Sequence, residues 1–205
     1  MNTLAEYLLP FLQENALKHK LRSDEAIRVD VAPSVGPETG RLLTFLVRLL
    51  NAKNVLEIGT CQGYSALWLA EGLADTGGKL VAVEANSKIV EEARDNILTA
   101  GFDNVEFIVN DALLVIPHMQ SASFDIIFQD SAKALYGNML DDCVRLLRPG
   151  GVLVSDDILF KALGKRASIA DAMHNYNKLL SKDTRLFTTF LSIGDGVALS
   201  MKIKE

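Results

Sequence analysis

Short apolar runs recur along most of the chain, and each is followed by a stretch with the apolar spacing of an amphipathic helix. Such runs predict buried strands, and such stretches predict the helices between them. The predicted strands cover 53–58, 79–84, 104–109, 124–129 and 150–156, and the helices cover 64–75, 87–100, 111–116, 134–147 and 166–181. Because these strands are apolar on both faces, we expect a parallel sheet with helices on both sides.

The two ends of the chain depart from this alternation. Leucine spacing near the start predicts a helix over 2–19, followed by a Pro- and Gly-rich loop over 31–40 and an amphipathic helix over 39–50. At the other end, strands are predicted over 185–191 and 197–203. The turn-forming segment "SIGDG" between them is short, so these two strands should pair antiparallel.

The pattern therefore predicts an α/β fold with a seven-stranded, mostly parallel sheet and an antiparallel C-terminal hairpin. The length of 205 residues suits one domain. Within it, we expect 1–36 to form an N-terminal helix-and-loop extension and 37–205 to form the core.

Composition narrows the class of protein. Hydrophobic residues make up 49% of the chain, enough for a buried core, and the formal net charge is -5. That charge argues against a protein whose main task is to grip nucleic acid, since phosphate contacts need a basic face. The two cysteines form no CxxC motif, so neither a zinc site nor a disulfide framework is indicated, and a reduced, cytoplasmic setting is expected. We expect neither a secretory leader nor a membrane span.

Acidic residues stand at the end of every predicted parallel strand. They are Glu57, Glu84, Asp111, Asp130 and Asp156. In a parallel sheet these ends share one edge, and ligands bind in the crevice outside it. Five acids on one edge indicate a functional site there.

The first strand opens into a glycine loop, "EIGTCQGYS", that leads into a predicted helix. Glu84 lies at the tip of the next strand, where a carboxylate can accept both hydroxyls of a ribose. Gly59 and Gly63 are spaced G-x-x-x-G and not G-x-G-x-x-G, so no pyrophosphate cradle is indicated. The pattern predicts a nucleoside ligand without a diphosphate. The competing interpretation is a set of solvated acids at helix caps.

Asp130, Asp156 and Asp157 follow two neighbouring strands and can surround one point with carboxylate oxygens. Hard oxygen ligands suit Mg²⁺, Mn²⁺ or Ca²⁺. Three adjacent carboxylates without a cation would repel one another and take up protons. Lys133 is a candidate general base, because an ammonium near a bound cation loses its proton more readily. The competing interpretations are a helix cap for Asp157 and a surface position for Lys133.

Four segments together resemble the class I S-adenosylmethionine-dependent methyltransferases. More narrowly, they resemble the cation-dependent O-methyltransferase family, which includes caffeoyl-CoA and catechol O-methyltransferases and small bacterial relatives. In chain order the segments read "LEIGTCQGYSA", "FDIIFQDSAKALY", "LRPGGVLVSDDILF" and "SIGDGVALSMK". The second contains the family's D-x-x-K-x-x-Y motif. The resemblance runs from about Gly36 to the C-terminus and implies a Rossmann-like fold and methyl transfer to a hydroxyl.

The resemblance also implies a role for each matching residue. S-adenosylmethionine would be held by Val35, Glu57, Gly59, Thr60, Ser65, Glu84, Asp111, Ala112 and Asp130. A divalent cation, Mg²⁺ before Mn²⁺ or Ca²⁺, would be held by Asp130, Asp156 and Asp157, and catalysis would involve Lys133 with Asp130. The acceptor would be a catechol or another small molecule with neighbouring oxygens, and the protein would form a homodimer.

Two positions depart from the family pattern. Asp157 stands where the family usually has Asn, which adds a negative charge to the cation site. Ala132 stands where many members have Asp, which removes one hydrogen bond to the cofactor. Both changes bear on catalytic strength and not on the fold.

Two alternatives stay open. One is methylation of a modified uridine in tRNA, for which the basic stretches "LKHKLR" (17–22) and "KALGKR" (161–166) could contact phosphates. The other is a protein that binds the cofactor but has lost catalysis, which the two departures suggest.

Overall fold

A computed structural model describes residues 4–12, 14–25, 27–31 and 33–203 of the chain. Its strands are β1 (Asn54–Ile58), β2 (Lys79–Glu84), β3 (Val105–Val109), β4 (Phe124–Gln129), β5 (Leu147–Ser155), β6 (Leu186–Leu191) and β7 (Val197–Lys202). They form a seven-stranded sheet in the order β3-β2-β1-β4-β5-β7-β6. Strands β1 to β5 pair parallel, whereas β7 pairs antiparallel with both β5 and β6. The predicted sheet, with its antiparallel C-terminal pair, is confirmed.

Helices cover both faces of this sheet. They are α1 (Leu4–Leu8), α2 (Ala16–Glu25), α3 (Pro37–Leu49), α4 (Tyr64–Thr76), α5 (Ser87–Thr99), α6 (Ala112–Val115), α7 (Tyr136–Leu146) and α8 (Ala167–Lys182). Apolar side chains of α3, α4 and α5 pack on one face, and those of α7 and α8 pack on the other. The central strands are therefore apolar at successive positions. Within the described ranges, no helix is both long and apolar enough to cross a membrane.

The helix predicted over 2–19 is wrong in extent, and its residues 2 and 3 lie outside the described part of the chain. Helix α1 ends at Leu8, a 3-10 turn covers Leu9–Phe11, and α2 starts only at Ala16. Pro10 explains the break, because proline lacks the N–H that a helix needs and its ring clashes with the preceding turn. Strand β5 is also longer than predicted, since it begins at Leu147.

Lys18 in α2 fixes the N-terminal segment to the core. Only 1% of its side chain is exposed, and its ammonium lies 2.5 Å from a Glu71 carboxylate oxygen. The same ammonium lies 3.5 Å from the centre of the Trp68 ring. Both partners belong to α4, the helix that follows the glycine loop. Within the basic stretch 17–22, Lys18 therefore faces the core, whereas Lys20 is exposed.

We expect Lys18→Met to lower the free energy of unfolding by about 1–3 kcal/mol, because it leaves the partly buried Glu71 carboxylate without its closest cation. Lys20→Met is the matched control: Lys20 lies in the same helix, 68% exposed, and pairs with Asp24. Its loss should change stability by less than about 0.5 kcal/mol. Urea unfolding of both variants measures the difference. Equal effects would show that the Lys18 contacts do not stabilise the fold.

Candidate active site

A cavity of about 880 Å³ lies at the carboxyl edge of the parallel strands. Its walls come from the loops after β1, β2, β3, β4 and β5, from the turn before β7, and from residues Asp30, Val31, Pro33, Ser34 and Gly36. The chain runs from β1 to β2 and β3 on one side and returns to β4 on the other, so this is the crevice where doubly wound sheets bind ligands. The strand-end acids Glu84, Asp111, Asp130 and Asp156 line it.

At Gly59 the loop after β1 packs closely against the backbone at the end of β4. Its φ is +89°, and a Cβ there would lie 2.4 Å from the carbonyl oxygen of Asp130. Its N–H donates to the carbonyl of Val83 in β2, at 2.9 Å. Only glycine both adopts this positive φ readily and leaves room for the Asp130 carbonyl. The close approach sets the position of the glycine loop relative to Asp130.

Glu84 ends β2 with both carboxylate oxygens held by backbone. Oε2 accepts the N–H of Cys61 in the glycine loop at 3.2 Å, and Oε1 accepts the N–H of Asn86 at 3.0 Å. A carboxylate has about four lone-pair positions, so it can accept further donors from a ligand in the cavity. Asn86, and not Glu84, caps α5. Glu84 is thus an oriented acceptor and not a helix cap.

Glu57 is fully buried in β1, and neither carboxylate oxygen has a hydrogen-bond partner among the described residues. Burial raises the pKa of Glu57 to about 7, although the nearby Ser65 and Thr60 hydroxyls lower it in part. Thr60 and Ser65 line the cavity, and in the described part of the chain the Thr60 hydroxyl is also without a partner. Buried polar atoms are usually paired, so this end of the cavity fits a ligand that brings its own donors.

The remaining residues predicted for the cofactor differ in their exposure to the cavity. Asp111 and Ala112 line it, and Asp111 also caps α6 through a 2.9 Å hydrogen bond from the backbone of that helix. Val35 is buried in the core, and its neighbours Ser34 and Gly36 line the cavity. Glu57 and Val35 therefore lie behind the wall that the other predicted residues form.

Asp130, Asp156 and Asp157 come together at the ends of β4 and β5 and are called the acid cluster below. One carboxylate oxygen of each lies within 4.8 Å of the other two. Asp157 reaches the cluster with a φ of +66°, a left-handed conformation that Asp and Asn adopt more readily than most other side chains. Because α8 begins only at Ala167, the interpretation of Asp157 as a helix cap is wrong.

Lys133 lies inside the acid cluster. Its ammonium is 2.7 Å from Asp130 Oδ1 and 2.6 Å from Asp157 Oδ2. It also donates to the Tyr136 hydroxyl at 3.2 Å. Burial would lower the pKa of this ammonium, but the two carboxylates outweigh it and raise the pKa. Lys133 is therefore an internal counter-ion and not a surface residue.

Two members of the acid cluster, Asp156 and Asp157, hold their protons more tightly than exposed aspartates do. Burial raises the pKa of Asp157 to about 6, although Lys133 lowers it in part. Burial raises the pKa of Asp156 well above the usual range, and its two acidic neighbours add to the shift. The expected repulsion is thus present, but burial is the larger cause. One Asp156 oxygen lacks a partner among the described residues, so this hard-oxygen set fits a divalent cation.

Sequence reasoning assigned no role to three residues in or beside the cavity. Tyr136 ends the D-x-x-K-x-x-Y motif, yet no role was predicted for it. The Phe160 ring lies 6.0 Å from the Lys133 ammonium and 5.3 Å from that of Lys165, which pairs with Asp195 at 2.9 Å. The sequence predicts 161–166 only as a basic stretch that could contact phosphates. No sequence signal places Lys165 at the cavity.

Comparison with known proteins gives consistent results. The family model described as O-methyltransferase matches residues 12–203. The chain is 32% identical to a catechol O-methyltransferase of Niastella koreensis, over 83% of this chain and 82% of that protein. It is 30% identical to a caffeoyl-CoA O-methyltransferase of Populus kitakamiensis, over 83% and 78% of the two chains. An O-methyltransferase from Bacillus cereus, solved in complex with SAH, superposes with a TM-score of 0.82 at 27% identity, over 97% of this chain and 96% of that chain.

We predict that Glu57 makes stability fall with rising pH. Its folded pKa of about 7 lies above its ordinary value of 4.5, so its protonated form is favoured by folding. That stabilisation is complete below pH 4.5 and is lost as the pH rises through 7. Relative to Glu57→Gln, the unfolding free energy of the parent should fall by up to about 3 kcal/mol across this window.

Urea unfolding at several pH values, without divalent cations, measures this difference. Asp156 and Asp157, whose pKa values are also raised, are present in both proteins, so the difference between the two curves reports on Glu57. The control is Glu106→Gln, which removes an exposed carboxylate of β3 and should give a curve parallel to that of the parent. Parallel curves for Glu57→Gln as well would contradict the raised pKa.

Proposed function

The chain belongs to the O-methyltransferase family, and from that membership we propose that it transfers the methyl group of S-adenosylmethionine to a hydroxyl of a small acceptor. We propose a catechol, or another molecule with two neighbouring oxygens, as the acceptor and Mg²⁺ as the supporting cation. The observation that carries the proposal is the convergence of Asp130, Asp156 and Asp157 beside a glycine loop within one cavity.

Polar groups at one end of the cavity support the proposal that S-adenosylmethionine binds there. Glu84, oriented by two backbone N–H groups, would accept the ribose hydroxyls. Asp111 and Ala112 would flank the adenine at the adjacent strand end. The Bacillus cereus relative, solved in complex with SAH, supports a cofactor of this kind.

The methionine end would lie beside the glycine loop. Thr60 and Ser65 offer hydroxyls there, and Glu57 is an acceptor without a partner among the described residues. Gly59 would let the chain approach the ligand closely, and Val35 would act through its backbone. Asp130 would lie between this end and the acceptor, since it lines the cavity and also belongs to the acid cluster.

The acid cluster would hold the cation. A divalent cation held there would supply Lewis-acid chemistry that lowers the pKa of the attacking hydroxyl. The protein would contribute mainly by aligning that oxygen with the methyl group, and Phe160 and Lys165 would bound the acceptor space. Asp157 and Ala132, the two departures from the family pattern, both line the cavity, so their effect on catalysis is open to direct test.

The catalytic role proposed for Lys133 depends on the acid cluster. In the structure two carboxylates hold it as an ammonium, which favours a charge-stabilising role toward the acceptor oxygen. A general-base role would require those carboxylates to be engaged elsewhere, as they would be by a cation. Either role places Lys133 at the acceptor hydroxyl.

Among the described residues, we find no observation that favours methylation of tRNA. Lys18 is buried, and Arg22 pairs with Glu14 at 2.9 Å, so the stretch 17–22 offers phosphate little free charge. A cytoplasmic location and homodimerisation remain predictions from the sequence. A salt-dependent gel shift with tRNA distinguishes this alternative from a small acceptor.

We predict that methyl transfer to a catechol requires a divalent cation. With labelled S-adenosylmethionine, activity should fall to background in excess EDTA and return with excess Mg²⁺. Asp157→Asn keeps the size and the left-handed backbone but removes one charge, so it should need roughly tenfold more Mg²⁺ for half-maximal rate. Full activity in EDTA would contradict the cation proposal. An unchanged Mg²⁺ requirement in the variant would show that Asp157 is not a charged ligand.

We predict that Glu84→Ala weakens S-adenosylmethionine binding by about 10- to 150-fold, because the ribose loses its charged acceptor. Calorimetry measures the affinity directly. Glu91→Ala, which removes an exposed carboxylate from the neighbouring α5, is the control and should bind as the parent does. Equal affinities for all three proteins would rule out the ribose assignment.

A further inference from the structure

A hydroxyl on α8 bridges the two strands that carry the acid cluster. Tyr176 Oη lies 2.8 Å from the Ser155 hydroxyl and 3.1 Å from Gln129 Oε1. All three side chains are buried, with at most 1% exposed. Tyr176 has one proton to donate. If it goes to Gln129, the Ser155 hydroxyl must donate to Tyr176, and both hydroxyl protons are then used.

The bridged residues immediately precede two members of the acid cluster. Gln129 ends β4 before Asp130, and Ser155 ends β5 before Asp156. The two are also directly paired in the register of the sheet. Tyr176 therefore joins the strands at the last pair of residues before the carboxylates.

Just beyond this pair, a backbone hydrogen bond also joins the two strand ends. The Asp156 N–H donates to the Gln129 carbonyl at 3.2 Å. Beyond it the Asp130 N–H turns away to the Ile58 carbonyl of β1, at 2.9 Å. Asp130 and Asp156 repel each other when both are charged, and a side-chain bridge just behind them resists separation of the strand ends.

Tyr136 strengthens the same strand end from another helix. Its hydroxyl donates to the Gln129 carbonyl at 2.9 Å, and its ring packs edge-on against the Tyr176 ring, with centroids 5.2 Å apart. Gln129 is thus held through its backbone by α7 and through its side chain by α8. These bonds satisfy the Gln129 carbonyl and Oε1, whereas its Nε2 has no partner among the described residues. Neighbouring buried hydrogen bonds of this kind strengthen one another.

We propose that Tyr176 is a positioning residue for the acid cluster, setting the separation of Asp130 and Asp156 through Gln129 and Ser155 and so the affinity for a divalent cation. The inference rests on the proposed cation site. It concerns affinity, because Tyr176 is not among the residues that line the cavity and would touch neither cation nor substrate.

The test is Mn²⁺ binding to the apoprotein, measured by electron paramagnetic resonance, in Tyr176→Phe. This change removes only the bridging hydroxyl. Loss of an outer-shell partner commonly weakens metal affinity 10- to 100-fold, and an effect relayed through two residues should be smaller, about 3- to 10-fold. Asp130→Asn defines the signal that belongs to the acid cluster.

Tyr64→Phe is the matched control. Tyr64 is also fully buried, and its hydroxyl donates to Glu14 at 2.7 Å, on the opposite side of the sheet. It should lose stability but bind Mn²⁺ as the parent does. Tyr176→Phe with reduced stability and unchanged Mn²⁺ affinity would overturn the proposal, because the hydroxyl would then serve only the core.

Ser155→Ala provides a second, smaller change in case Tyr176→Phe folds poorly. It should weaken Mn²⁺ binding in the same direction, and combining the two should cost less than the sum of the single effects, because they break one bridge. The proposal would be contradicted if Ser155→Ala leaves Mn²⁺ affinity unchanged and the effects on affinity are fully additive in the double variant, because the two hydroxyls would then act independently. Absence of Mn²⁺ binding by the parent would overturn the cation site and this inference with it.

Discussion

The burial of several carboxylates at one edge of the sheet is the constraint on which the rest of the structure depends. Glu57 and Asp156 are almost fully enclosed, and both have raised pKa values chiefly because burial disfavours their charged forms. Such groups are costly in a folded chain unless charge or hydrogen bonds compensate them. The buried carboxylates therefore cost folding free energy, which indicates that they serve a function and not the fold.

Lys133 supplies part of that compensation, and neighbouring elements fix the positions of the strand ends. Lys133 brings an ammonium between two members of the acid cluster, and Gly59 allows the loop after β1 to lie against the same strand end. The buried tyrosines of α7 and α8 hold the ends of β4 and β5 from behind. The lysine neutralises only part of the negative charge, and the hard oxygen atoms of the acid cluster fit a divalent cation.

Sequence reasoning predicted the sheet well because each central strand is an apolar run bounded by polar residues, and periodicity detects such runs directly. It placed an acid at each strand end, since the edge of a parallel sheet follows from chain order alone. It failed where contacts join distant positions. Nothing near Lys18 indicates burial, because its partners Trp68 and Glu71 belong to another helix. The bridge from Tyr176 to Gln129 and Ser155 could not be predicted from the sequence for the same reason.

The most direct test of the central claim, that the acid cluster is a cation site beside a methyl donor, is anomalous diffraction from crystals grown with Mn²⁺ and S-adenosylhomocysteine. The account predicts one strong Mn²⁺ peak within coordination distance of Asp130, Asp156 and Asp157, with the ribose on Glu84 and the Lys133 ammonium moved away from at least one carboxylate. A structure with the cofactor bound, no anomalous peak, and Lys133 still between Asp130 and Asp157 would contradict it.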